Sequence, residues 1–233
     1  MSELNLEILA YEQTPLGLLF LRRRELLSQP GTIVTEVTLN HEFLMSSLYT
    51  DSERVLAEHA LEMHSGNPLK VMVGGLGLGY TAQAALKSER VAQLEVVELL
   101  PQVIQWMRDG LVPLSSELNN EPRLEISQGD VYRRMLEPTG EPFDLILIDV
   151  DHSPDERLAE ENISFYSVAG LEAARQHLLP GGVLAVWSYA ESSPFADAMN
   201  EVFADVSVVP VSYHNELIDE TRTDWLFFGR RSD

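Results

Sequence analysis

Residues 71–79 read VMVGGLGLG, and this stretch constrains the chain more than any other. A short apolar run with no polar residue fits a strand buried on both faces. It empties into Gly75, Gly77 and Gly79, and a helix-like segment, Tyr80 to Lys87, follows at once. Glycines permit positive φ and let a ligand approach the backbone with no Cβ in the way. The free N–H groups and positive end of the next helix favour negative or polar ligand atoms. Strand, glycine turn and helix make a nucleotide-binding plan, although a turn used only for packing satisfies the same pattern.

The context supports the first alternative. The second strand candidate, Gln93 to Glu98, ends in an acid at the distance from the glycines where dinucleotide folds place a ribose-binding carboxylate. Pro101 then stands where a helix begins. From Pro68 onward strand and helix patterns alternate through Leu69–Val73, Gln93–Glu98, Leu124–Ser127, Phe143–Val150 and Gly182–Ser188. Two further runs, Val206–Tyr213 and Asp224–Arg230, are joined by a loop too short for a crossover helix, so the last strand must run antiparallel to its neighbour.

Ligands of open α/β sheets bind outside the carboxyl ends of the strands. Four loops meet that condition: Gly74–Gly79, Glu98–Leu100, Gln128–Asp130 and Asp149–Pro154. Asp130 has the spacing of a helix N-cap and of an acceptor for an exocyclic amine. Asp149 ends a buried strand, which aims its carboxylate into the cleft, where it can hold an ammonium. Asp151, His152 and Asp155 follow, and His152 has a reference pKa suited to taking a proton from a nucleophile. A metal reading of D-x-D-H lacks a further ligand group, so no metal is expected.

Before this unit, Leu6–Tyr11, Leu16–Arg22 and Thr32–Leu39 read as strands of a small antiparallel sheet. Arg22, Arg23 and Arg24 read as a solvated edge, and His41–Thr50 as an irregular connector. Asp51 then caps an amphipathic helix running to about His64, with His59 and His64 at its surface. The expected organisation is a β appendage and connector over residues 1–50 and an α/β domain over 51–233.

Composition excludes several classes. With no cysteine in 233 residues, disulfides, thiolate metal sites and a cysteine nucleophile are ruled out. No window reaches the length of an apolar membrane span, and the first residues lack a secretion-signal pattern, so the expected compartment is the cytoplasm. The net charge of −21 repels phosphate backbones and anionic lipid, which argues against nucleic acid and membrane partners. It attracts small cations, although acids spread along a chain also serve solubility or life at high salt.

Taken together, VGGLGLG, the Glu98 strand end, QGD at 128–130, FDLILID and FYSVAGLEAARQHLLPGGVLAV resemble spermidine synthase-like proteins. That resemblance implies the Rossmann-like class I S-adenosylmethionine-dependent methyltransferase fold: a seven-stranded, mostly parallel sheet with an antiparallel last strand, plus the N-terminal β appendage. It implies that Gly75, Gly77 and Gly79 border the methionine-like part of the cofactor, Glu98 its ribose and Asp130 its adenine. Asp149 contacts the cofactor or acceptor amine, and Tyr213 lines the acceptor pocket; a homodimer is also implied. The chain departs from the family where aminopropyltransferases carry an acid in the glycine loop, here Gly77. It departs again where a tyrosine and a glutamine orient the amine, matched here to Met45 and Ser46, and in the Asp149–Pro154 loop. Those departures lead to the expectation of a methyltransferase using intact S-adenosylmethionine on a small, amine-bearing acceptor. In it Asp149 positions the amine, and Asp151 or His152 takes the proton. The alternatives are a polyamine aminopropyltransferase using decarboxylated S-adenosylmethionine and a nucleoside-binding pseudoenzyme.

Overall fold

The structure is a computed structural model that describes residues 6–138, 140–150, 154, 165–215 and 219–232. Its first four strands, β1 (Leu6–Thr14), β2 (Gly17–Glu25), β3 (Ile33–Leu39) and β4 (Glu42–Ser46), form an antiparallel sheet in the order β1-β2-β3-β4. The fourth strand occupies what reads in sequence as an irregular connector. Its turn explains why: Asn40 and His41 both have positive φ, 51° and 71°, so they form a two-residue hairpin turn without the glycine that usually marks one.

Helix α1 (Asp51–Met63) follows, with Thr50 rather than Asp51 as N-cap and no side-chain cap hydrogen bond. It buries Leu56, Ala57, Ala60 and Leu61, one helical face. His59 packs edge-on against Phe228 with ring centroids 4.5 Å apart, and His64 lies 3.7 Å from an Asp144 carboxylate oxygen. Neither is the free surface histidine that the pattern suggests.

The rest alternates strand and helix: β5 (Leu69–Gly74), α2 (Tyr80–Leu86), β6 (Val91–Glu98), α3 (Pro101–Arg108), α4 (Ser115–Leu118), β7 (Leu124–Gln128), α5 (Val131–Leu136) and β8 (Phe143–Ile148). After it come α6 (Val168–Arg175), β9 (Leu178–Ser188), α7 (Ser193–Val202), β10 (Ala204–Asn215) and β11 (Glu220–Arg230). Seven strands make one sheet in the order β10-β11-β9-β8-β5-β6-β7. The five strands from β5 to β9 are parallel, while β11 is antiparallel to both β9 and β10.

Strand alternation divides the core. Val71, Val73, Leu145 and Leu147 face α1 and α2, whereas Met72, Ile146 and Ile148 face α6 and α7. Leu19, Leu21 and Val37 of the first sheet join the former cluster, so the four-stranded sheet packs beside the glycine turn. Trp106 Nε1 on α3 donates to Glu12 on β1 at 2.8 Å and fixes that contact.

Arg22 and Arg24 are not a solvated edge. Both bond the buried carboxylate of Glu36 at 2.6–2.9 Å. Burial alone pushes that carboxyl up, but the two guanidinium groups outweigh it and hold Glu36 below its ordinary value. No helix among the described residues is long and apolar enough to cross a membrane.

Candidate active site

The glycine turn stands where β5 meets the end of β8. Gly75 has φ 96°, and a Cβ there would lie 2.1 Å from the Asp149 carbonyl oxygen, so the crossing admits only glycine. Gly79, at φ 93°, caps α2, and a Cβ there would meet Leu118 at 2.5 Å. Gly77 differs: its missing Cβ faces the cleft, 3.2 Å from Met45 Sδ.

Glu98 is 8% exposed at the tip of β6. Its Oε2 accepts the Leu76 N–H at 2.8 Å and its Oε1 the Leu100 N–H at 2.7 Å, which ties the glycine turn to the next loop. Burial raises the carboxyl above its ordinary value despite those donors. Asp130 caps α5, its Oδ1 accepting from Tyr132 and Arg133 N–H at 2.9 and 3.2 Å. Glu98, Asp130 and Gly75 lie beside the cleft described next and do not line it.

That cleft, of about 620 Å³, is lined by Gly77, Gly79, Asp149 and Tyr213 among the expected residues. Asp151 and His152 lie outside the described residues. Two acids that sequence reading did not single out, Glu53 on α1 and Asp224 on β11, complete an anionic side with Asp149. Thr81 donates its hydroxyl to Asp149 Oδ2. Burial, partly offset by that hydroxyl and reinforced by Asp224, pushes Asp149 up to about 6. Burial and the charges of Asp149 and Asp224 push Glu53 up to about 8. Asp224 is raised too, mainly by burial.

Ser52 bridges two of these acids. Its Oγ lies 2.7 Å from Asp224 Oδ2 and 3.0 Å from Glu53 Oε2, while Trp187 Nε1 donates to it at 3.1 Å. One hydroxyl proton serves one carboxylate; the second contact becomes a hydrogen bond when the other carboxyl carries a proton. Glu53, whose carboxyl is raised to about 8, carries that proton at neutral pH. Tyr213 stacks on Tyr49, centroids 4.7 Å apart, and Trp187, Tyr80 and Tyr189 add further aromatic surface. Three carboxylates among aromatic faces suit an organic ammonium. Carboxyls raised to about 6 and 8 suit proton exchange near neutral pH.

Comparison with known proteins places this geometry. No family model matches the chain. The polyamine aminopropyltransferase of Oceanobacillus iheyensis is 31% identical over 143 residues, 60% of this chain and 26% of that protein. Polyamine aminopropyltransferase 2 of Pseudomonas aeruginosa is 28% identical over 167 residues, 69% of this chain and 46% of that protein. The matches therefore span less than half the length of these curated relatives. Among solved structures, spermidine synthase in complex with the transition state analogue AdoDATO superposes with a TM-score of 0.74 at 19% identity, over 97% of this chain and 74% of that one. This chain has a spermidine synthase-like fold. The spermidine synthase of Thermotoga maritima agrees, with a TM-score of 0.73 at 18% identity over 97% of this chain and 72% of that one.

These findings correct the functional expectation drawn from the departures at Gly77, Met45 and Ser46. The curated relatives are named aminopropyltransferases and the structural neighbours spermidine synthases, which overturns methyl transfer from intact S-adenosylmethionine as the leading activity. The departures at Gly77, at Met45 and Ser46 and in the Asp149–Pro154 loop are local, whereas the charge of the cleft is assembled from distant elements. The acids that gather around the cleft come from α1 and β11 instead.

Proposed function

We propose that this protein is a polyamine-type aminopropyltransferase, taking its aminopropyl group from decarboxylated S-adenosylmethionine and delivering it to a small amine. The observation that carries this reading is the grouping of Glu53, Asp149 and Asp224 on one cleft beside the glycine turn, at the carboxyl ends of the parallel strands. The relatives named above support the class of reaction.

The cleft fits such a donor: Gly77 and Gly79 bring the backbone of the turn to its lining, and Glu98 stands at the adjacent strand end for the ribose. In the reaction the acceptor nitrogen attacks the carbon next to the sulfonium sulfur. The C–N bond forms as the C–S bond breaks, and the electron pair of that bond stays on sulfur, leaving methylthioadenosine. The protein's part is to align the two partners and to deprotonate the acceptor. Asp149, oriented by Thr81, holds the acceptor nitrogen and takes its proton. Tyr213 and Tyr49 form a wall against which the amine packs. The net charge of −21 and the absence of cysteine support a cytoplasmic enzyme of small cationic substrates rather than a binder of nucleic acid or membrane. The exposed Leu6, Ile8 and Tyr11 of β1 support a homodimer.

The test is to incubate the protein with decarboxylated S-adenosylmethionine and an amine panel, then to identify products by mass spectrometry. Methylthioadenosine together with an aminopropylated amine is the expected outcome, lost in Asp149→Asn. Methylated amine formed from intact S-adenosylmethionine, with no turnover of the decarboxylated form, would overturn the proposal.

A further inference from the structure

The cleft has two unlike sides. Glu53, Asp149 and Asp224 belong to α1, the end of β8 and β11; all three line the cleft, and Ser52 Oγ ties the first to the last at 3.0 and 2.7 Å. The other side is β4, the edge strand of the first sheet, whose residues Glu42 to Ser46 all line the cleft, with Leu39 of β3 beside them. That side presents Leu39, Phe43, Leu44 and Met45. Its one charged residue, Glu42, starts the strand and is exposed to water, where screening weakens its pull on a ligand.

Two features of the β4 side are unusual for a surface that does nothing. Phe43 is 58% exposed, a large apolar ring held at the cleft rather than in the core. Met45 places its thioether over Gly77, 3.2 Å from where a side chain at that position would begin. The space above the glycine turn is thus closed with hydrocarbon and sulfur. A diamine that anchored one ammonium at the acids would lay its second against this wall, where among the described residues of β4 only the exposed Glu42 carries a charge, and a charge pressed on hydrocarbon loses hydration.

We propose that the preferred acceptor is a primary amine on an apolar body, an arylalkyl or longer-chain alkyl monoamine. Its ammonium enters between Asp149 and Glu53, and its hydrocarbon lies along β4 against Phe43, Leu44 and Met45. This rests on the aminopropyl-transfer reading and narrows its substrate class. Met45 and Phe43 are then specificity-determining residues, and they act through contact with the acceptor's carbon chain. The apolar contact also makes a quantitative demand: each methylene added to a linear alkylamine raises affinity about fourfold until the wall is covered.

The test is calorimetric titration of the whole protein, saturated with methylthioadenosine, with 1,4-diaminobutane, butylamine, hexylamine and 2-phenylethylamine at one ionic strength. Hexylamine and 2-phenylethylamine are expected to bind about tenfold or more tighter than 1,4-diaminobutane. Phe43→Ala, a change at an exposed side chain, should cut 2-phenylethylamine affinity about fivefold, and Met45→Glu should reverse the preference toward the diamine. Tighter binding of 1,4-diaminobutane than of any monoamine, or a Phe43→Ala variant that binds 2-phenylethylamine as well as the parent, would overturn the acceptor class and leave aminopropyl transfer standing. No binding of any amine would overturn both.

Discussion

Glu53→Gln isolates the energetics of the anionic side of the cleft. The glutamine keeps the shape of Glu53 and removes its titration. Burial and the neighbouring Asp149 and Asp224 raise the Glu53 carboxyl from 4.5 to about 8. A carboxyl raised on folding means that the native state binds more protons than the unfolded chain between those values. Its contribution is therefore full below the unfolded value and is lost as pH rises through the folded one. At about 1.4 kcal/mol per pK unit, a rise of that size sets a ceiling of roughly 5 kcal/mol. Water in the open cleft and sharing of the effect among three acids reduce this to about 1–2 kcal/mol. Urea unfolding of parent and variant from pH 5 to pH 9 measures it. The parent should lose stability above pH 6 faster than Glu53→Gln, so that the variant is the more stable protein at pH 9. Parallel stability curves across that range would show that Glu53 ionises as freely in the folded protein as in the unfolded chain, and the proton assigned to the Ser52 bridge would not exist.

Further outcomes follow from other contacts. Thr81→Val removes the hydroxyl that holds the Asp149 carboxyl down, so the acidic limb of the pH–rate profile should move to higher pH, with turnover at pH 6.5 falling about tenfold. Gly75→Ala, whose Cβ would lie 2.1 Å from a backbone oxygen, should cost more than about 3 kcal/mol in denaturant titration. Gly110→Ala, at φ 80° with open space around it, should cost only about 1 kcal/mol. Glu36→Gln should cost about 1–3 kcal/mol at pH 7. Because the Glu36 carboxyl is held below its ordinary value, that difference is present above the unfolded carboxylate range and should vanish as pH falls through the folded value.

The sheet, its mostly parallel strands and the antiparallel last strand are legible because buried strands announce themselves as apolar runs and turns as glycine and proline. Residues such as Val71–Val73 and Leu145–Ile148 carry that signal locally. The N-cap at Asp130 and the place of Glu98 at a strand end follow from position along an element, which sequence also records. Strand β4 was hidden because its turn uses Asn40 and His41 at positive φ in place of glycine. The anionic side of the cleft was hidden for a different reason. Ser52 and Asp224 are 172 residues apart and meet only through the sheet, so no window of sequence contains both. The one available hint is an acid directly before an apolar run, as Asp224 stands before Trp225, Leu226 and Phe227. Methyl transfer was favoured because local substitutions at Gly77 and Met45 are visible in sequence, while the carboxylates gathered by folding are not.

The position of β11 bears on how the protein is made. It leaves the ribosome after β9 and β10, yet it lies between them in the sheet, hydrogen-bonded to β9 on one side and β10 on the other. Until Arg230 has emerged, β10 has no neighbour, the β9 edge stays open, and Asp224 has not joined Glu53 and Asp149. A nascent chain stalled before that point can assemble the glycine turn and the parallel strands, but it presents an open apolar edge for which other chains compete. Synthesis of β11 is therefore both the step that joins β10 to the rest of the sheet and the step that brings Asp224 to the anionic side of the cleft.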